Sequence, residues 1–161
     1  MKGILDPEIA LHRAGCSETV IDHCRAVCRL AMEFSRAPAD RDLVAAGAML
    51  HDIGRATTHS IAHGQAGAET CRDFGFPADI CRIVERHIGA GMTADECALQ
   101  DLLPRDCVPA TLEEKIVAHA DNLVRGRHEI SIEARLLRSP HLSRRIKTRM
   151  YRLAREVELF R

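Results

Sequence analysis

Apolar positions recur at helical three- and four-residue spacing almost from end to end, and no segment alternates convincingly in the two-residue period of a strand. Ser17 stands as an N-cap for a helix that the pattern carries to about Arg36, with Pro38 past its end. Asp40 caps a second helix through the very apolar "LVAAGAML", which Gly54 is expected to stop. A third runs from about Gly64 to Phe74, closed by Gly75, and Pro77 opens a fourth that ends near His87 with Gly89 just beyond. Residues 91–109 are polar and carry two prolines, so they read as a loop with one short helix. Thr111 caps a helix through Val124, and Glu114 completes a capping box. Two more helices, about 129–138 and 141–159, are parted by Ser139-Pro140. No repeat, low-complexity segment or linker interrupts this order. The expectation is an all-α chain, one domain over residues 1–161, built as a bundle of about six to eight helices.

Composition changes this picture only in part. Of the 161 residues, 46% are hydrophobic but only 3% aromatic, so the core must come from Ala, Leu, Ile, Val and Met. Lys plus Arg balance Asp plus Glu at 23 each, which by itself points to no polyanionic partner. The balance is uneven, however. From Arg125 to Arg161 there are eleven basic and four acidic residues, and the earlier chain carries the matching negative charge. Arg138, Arg145, Arg149 and Arg152 have spacings compatible with one helical stripe, for which at most weak, salt-sensitive nucleic-acid binding is expected. Seven cysteines without a CxxC pair resemble neither a disulfide framework nor a zinc knuckle, and suit buried thiols in a reducing compartment. Asp6, Pro7 and Glu8 stand where a signal peptide would need apolar residues, and Val44 to Leu50 is too short to span a bilayer. A soluble, cytoplasmic protein with no membrane partner is expected.

The chemistry lies in where ionisable residues fall on the helices. His23 shares a stripe with Val20, Val27, Leu30 and Phe34, and so points inward. Asp121 shares a face with Val117 and Val124; His87 continues the stripe of Ile80, Ile83 and Val84; His51 and Asp52 close the apolar second helix. A single inward histidine is ordinarily satisfied by a carbonyl. A buried carboxylate costs several kcal/mol unless a cation or a set of donors offsets it, and Arg125, four residues on, is the only basic neighbour of Asp121 at helical spacing. Three histidines and two aspartates at such positions share one economical solution, a divalent metal. Imidazole nitrogen with carboxylate oxygen suits manganese, iron, nickel, cobalt or zinc.

The order His23, then His51-Asp52, then Asp121, with 27 residues between the histidines and 68 between the aspartates, resembles the HD superfamily of metal-dependent phosphohydrolases. "HDIGR" is similar to the HDIG form of its signature. The resemblance covers residues 15–126, with the helices of 129–159 expected to pack on that core. "ERHIGAGMT" and "TLEEKIVAHADNLV" are similar to segments of small stand-alone HDIG proteins, some of whose relatives are joined to tRNA ribose-methylating domains.

Carried over residue by residue, the resemblance implies that His23, His51, Asp52 and Asp121 bind one metal tightly. Asp52 would bridge to a second, weaker site served by His63 in "AHGQAGAE" and His87 in "ERHIGAG". Two-metal relatives often carry a histidine pair at the later position, where this chain has Ile88. Asp52 is expected to orient the attacking water and Arg55 to clamp a phosphate with its fork of donors. Lys115 and Arg125 are further phosphate candidates, while His59 reads as a surface residue and His119 as facing away from Asp121. The activity implied is hydrolysis of a small phosphorylated substrate, a nucleotide foremost. A phosphodiesterase acting on RNA ends, tRNA among them, is an alternative, with RNA as its partner. A non-catalytic metal-binding regulatory module is another, and a di-iron oxygenase would need a better-supplied second site than Ile88 allows. No P-loop, GxGxxG motif or aromatic stacking platform names the substrate, and nothing fixes the oligomeric state.

Overall fold

The computed structural model describes residues 5–161. Among these the chain forms nine α-helices: α1 (Pro7–Ala14), α2 (Glu18–Phe34), α3 (Arg41–Leu50), α4 (His63–Asp73), α5 (Ala78–Arg86), α6 (Ala94–Leu99), α7 (Leu112–Asn122), α8 (Ile132–Leu137) and α9 (Arg144–Val157). A 3₁₀ turn, Ile53–Ala56, follows α3, and a second, Glu158–Phe160, ends α9. The all-α class is as expected, with one helix more than the pattern suggested. No helix is long and apolar enough to cross a membrane among the described residues.

Local chemistry accounts for most boundaries. Ser17, Asp40, Thr111 and Ser143 accept backbone N–H groups at the starts of α2, α3, α7 and α9, and Thr111 with Glu114 forms the capping box read from the sequence. Thr93 and Glu96 form a second box at α6.

Three features depart from the pattern. The first is α1, whose N-cap Asp6, Pro7 in the first turn and left-handed C-cap Gly15 (φ 91°) are all helix signals packed into eight residues, too few to show an apolar period. The second is a two-residue hairpin, β1 (Val124–Arg125) with β2 (His128–Glu129), where a helix from 129 was expected; Gly126 (φ 62°) makes the turn and Ser131 then caps the shorter α8. The third is Gly54. It does not stop α3, which already ends at Leu50, but lets the 3₁₀ turn lie against α4: a Cβ there would sit 1.9 Å from the His63 carbonyl oxygen and 2.6 Å from the Gly67 nitrogen.

Two apolar clusters hold the helices together. One joins α2, α3, α7 and α9 through Val27, Leu30, Phe34, Ile116, Val117, Met150 and Leu153. The other joins α1, α2, α3 and α5 through Leu11, Ile21, Leu50, Ile80 and Val84, with Ile53 of the 3₁₀ turn. At roughly 25 cal/mol per Å² of apolar area buried, these packed aliphatics supply the main stabilisation of a chain nearly without aromatics. The C-terminal α9 is part of the first cluster, its Met150, Leu153 and Val157 buried against α7 and its neighbours.

Candidate metal centre

Six side chains converge where α2, α7, the α3–3₁₀ junction, the start of α4 and the end of α5 meet. His51 (0% exposed), His87 (1%), His63 (5%) and Asp52 (5%) are buried, while His23 and Asp121 reach solvent at one edge.

Each imidazole is oriented by a backbone carbonyl. His51 Nδ1–H donates to Ala48 O (2.7 Å), His63 Nδ1–H to Ser60 O (2.8 Å) and His87 Nδ1–H to Val84 O (2.7 Å). In all three the acceptor lies three residues back; Ala48 and Val84 are in the last turns of α3 and α5, where carbonyls lack their full helical partners, and Ser60 is in the turn that leads into α4. His23 Nδ1–H donates across the fold to Gly126 O (2.8 Å) in the hairpin turn. Because a carbonyl can only accept, the protons belong on Nδ1, and all four Nε2 lone pairs point inward.

Those lone pairs form two half-sites around Asp52. On one side, His23 Nε2 and His51 Nε2 lie 3.9 and 3.7 Å from Asp52 Oδ2, and 2.9 and 3.4 Å from Asp121 Oδ1. On the other, His63 Nε2 and His87 Nε2 lie 3.1 and 3.5 Å from Asp52 Oδ1. The two latter nitrogens face each other at 3.1 Å, an arrangement that neutral Nδ1–H tautomers cannot turn into a hydrogen bond. His51 Nε2 is buried without a partner among the described residues.

The electrostatics state the same demand for positive charge. Burial works against ionising Asp52 and Asp121, yet the adjacent histidines outweigh it and hold both carboxyls far below the usual range. Burial also opposes protonation of His51 and His23, but Asp52 and Asp121 raise the first well above its ordinary value, and Asp121 raises the second. His87 goes the other way, pushed down by burial and by its histidine neighbours. Three groups (His23, His51, Asp52; His51, His87, Asp121; Asp52, His63, His87) have ligand atoms close enough to hold an ion, and the orphaned buried Nε2 of His51 fits that use.

Arg55, on the 3₁₀ turn, donates Nε to Asp52 Oδ1 (3.3 Å) and Nη1 to His59 O (3.0 Å) at the solvent edge. The other phosphate candidates lie elsewhere: Lys115 is paired with Glu156 at 2.6 Å, and Arg125 is exposed on β1 and makes no ion pair with Asp121. His59 is exposed, and His119 is fully buried with Nε2 3.1 Å from Glu158 Oε1. Ile88, next to His87, contributes no ligand atom and packs near Gly64. The features missed by sequence reasoning are main-chain ones, the four orienting carbonyls and the Gly54–Gly67 contact that brings His63 to Asp52.

This centre and its helical frame define the class. The chain belongs to the HD domain family, whose model matches residues 20–126. It is 49% identical over 124 residues to an uncharacterized protein of Methanocaldococcus jannaschii, a match covering 73% of each chain. It is also 50% identical over 115 residues to a tRNA (cytidine(56)-2'-O)-methyltransferase of Picrophilus torridus, where the match covers 71% of this chain but 34% of that protein. Among solved structures it is similar in fold to the HD domain of the L. monocytogenes phosphodiesterase PgpH in complex with cyclic-di-AMP, with a TM-score of 0.57, 15% identity, and 95% of this chain and 94% of that one covered.

Proposed function

We propose that the chain is a metal-dependent phosphohydrolase acting on a nucleotide or other small phosphate ester, with residues 1–161 working as one domain. The observation that carries this reading is the convergence of four Nε2 lone pairs and two carboxylates on one partly open, otherwise buried point. In this reading His23, His51, Asp52 and Asp121 hold a tight divalent transition ion, and His63 and His87, with Asp52 shared between the half-sites, hold a weaker second. Such an ion, when bound, lowers the pKa of its water toward neutrality and offsets charge on phosphoryl oxygens.

The chain's own residues do the rest. Asp52, with one oxygen toward each half-site and Oδ1 also accepting from Arg55, is the natural group to orient the attacking water. Arg55 keeps Nη2 unengaged among the described residues, so its fork can bind a phosphate oxygen without leaving Asp52. The exposed edge at His23 and Asp121 leaves room for a substrate that need not be enclosed.

A second reading, a phosphodiesterase acting on RNA, draws support from the relative named as a tRNA methyltransferase. A purely regulatory module is disfavoured by the retention of all four residues of the tight half-site, His23, His51, Asp52 and Asp121. The test is metal analysis of purified protein, then a phosphomonoesterase and phosphodiesterase panel with the metal found. Asp52→Ala should lose both bound metal and hydrolysis, and a fully active Asp52→Ala protein would overturn the enzymatic reading.

A further inference from the structure

The C-terminal helices carry a surface that the metal centre does not use. Between Arg125 and Arg161 eleven basic residues stand against four acidic ones. Three of those acids are engaged: Glu156 with Lys115, Glu158 with His119 and Glu129 with Arg161. Arg149 is engaged too, its guanidinium held by both oxygens of Glu96 at 2.8 Å and by Gly91 O at 3.0 Å, and Arg138 lies beyond α8 rather than on α9. The single stripe of Arg138, Arg145, Arg149 and Arg152 expected from the spacing therefore does not exist.

What remains is a denser patch. α9 buries Met150, Leu153, Ala154 and Val157 in the core, so its opposite side faces solvent. Arg144, Arg145, Arg152 and Arg155 are exposed there without a carboxylate at ion-pair distance among the described residues. Arg144, Arg145, Thr148, Arg149 and Arg152 line one depression of about 430 Å³, and an adjoining one adds Tyr151, Lys147 and Leu142. Like charges gathered in a concavity focus a positive potential that scattered surface arginines do not.

Tyr151 gives the patch a second property. It is 42% exposed and is the only tyrosine of a chain without tryptophan. Arginines around an exposed aromatic ring combine phosphate contacts with a surface on which an unpaired base can stack. A bilayer is a poor match, because the apolar side of α9 is already buried and Tyr151 alone offers little to insert.

We infer that the solvent face of α9 binds single-stranded nucleic acid, Arg144, Arg145 and Arg152 contacting phosphates while a base stacks on Tyr151. The contact is independent of the metal centre, so it stands or falls apart from the hydrolase reading. The absence of any other tyrosine or tryptophan makes Tyr151 fluorescence a direct reporter. Titration of the full chain with oligouridylate and with matching oligodeoxythymidylate should quench that emission, with affinity falling as roughly the second to third power of salt concentration for three to four phosphate contacts. The preferred strand identifies RNA or DNA. Arg144→Glu/Arg145→Glu/Arg152→Glu should weaken binding at least tenfold and flatten the salt dependence while leaving metal content unchanged. Should that triple variant fail to fold, Arg152→Gln alone should weaken binding about threefold. Tyr151→Leu, followed by anisotropy of a labelled strand, should also weaken it. Absence of quenching and binding by either strand at low salt would overturn the inference, as would unchanged affinity in the arginine variants. Equal capture of phosphatidylserine vesicles or polyglutamate would overturn it in favour of a general polyanion surface.

Discussion

His63 and His87 meet nitrogen to nitrogen at 3.1 Å with both ring protons already committed to carbonyls, so this half-site is repulsive until a cation enters. The two half-sites should then respond differently to truncation. His23→Ala should strip the tight metal, because His23 belongs to the half-site with two carboxylates. His87→Ala should spare it but lower turnover by about 10²-fold, roughly 3 kcal/mol of transition-state stabilisation. Parallel metal analysis and kinetics check this; a His87→Ala protein with full activity would make the second half-site structural. Five of the six ligand candidates were legible in the sequence because a side chain's identity and helical phase are written there, while His63 entered only through the family resemblance. The groups that aim them were not, since any residue supplies a carbonyl and only the fold decides that Gly126 O meets His23. Gly54 shows the same limit: read locally it is a helix stop, whereas its function depends on α4 passing within contact. Gly54→Ala would drive a methyl into the His63 carbonyl and should cost about 3 kcal/mol or more in urea unfolding, as overpacking against rigid backbone does. A midpoint equal to that of the parent chain would show that the 3₁₀ turn yields more easily than its packing implies.

At the scale of elements, α2, α3, α5 and α7 follow from apolar phase and from a Ser, Asp, proline or Thr at their starts to within a few residues, while α4, with no side-chain cap, follows from the glycine that closes it. What eluded the pattern were short pieces held by tertiary context. The hairpin at Gly126 pairs only two residues on each strand, too few for a period-two signal, and its value lies in orienting His23. The polar segment 91–109 has little pattern of its own, yet it is tied down by Met92 and Cys107 main-chain bonds and by the Glu96–Arg149 pair that joins α6 to α9. The Arg149 guanidinium bonded to Glu96 holds that carboxyl down at about 2, against an ordinary 4.5. A carboxyl lowered on folding stabilises the fold fully above its unfolded pKa, and the gain is lost as pH falls from there through the folded value. Glu96→Gln keeps one acceptor oxygen for the Thr93 cap, but it removes the charge and turns the other oxygen facing Arg149 into a donor. The variant should therefore melt below the parent at neutral pH by about 1–2 kcal/mol, after allowing for partial exposure. The gap should narrow below pH 4.5 and vanish near pH 2. A gap independent of pH would assign the loss to packing instead of the ion pair.

At the scale of the whole molecule, the candidate metal centre draws on helices of both apolar clusters. Its candidate ligands come from α2, the junction of α3 with the 3₁₀ turn, the start of α4, the end of α5, and α7, so five separate parts of the chain bring charge or lone pairs to one buried point. One of those groups is left unsatisfied by its neighbours: His51 Nε2 has no hydrogen-bond partner among the described residues, although Asp52 and Asp121 lie 3.7 and 3.4 Å from it. In the unfolded chain these ligands are scattered over 99 positions from His23 to Asp121, so an ion has no comparable site there. Binding to the folded state alone stabilises it by mass action, about 2.7 kcal/mol when free metal stands at 100 times its dissociation constant. For a chain of this size that is a rise in melting temperature of roughly 5–10 °C. Chelation followed by gel filtration should lower the melting temperature by that amount, and adding back the native metal should restore it. The response should survive in His87→Ala but disappear in His23→Ala, because the tight half-site joins α2 to α7 across the first cluster, whereas His63 and His87 join neighbours that already pack together. A melting temperature indifferent to chelator and to added metal in the parent chain would mean that no ion holds the cluster together.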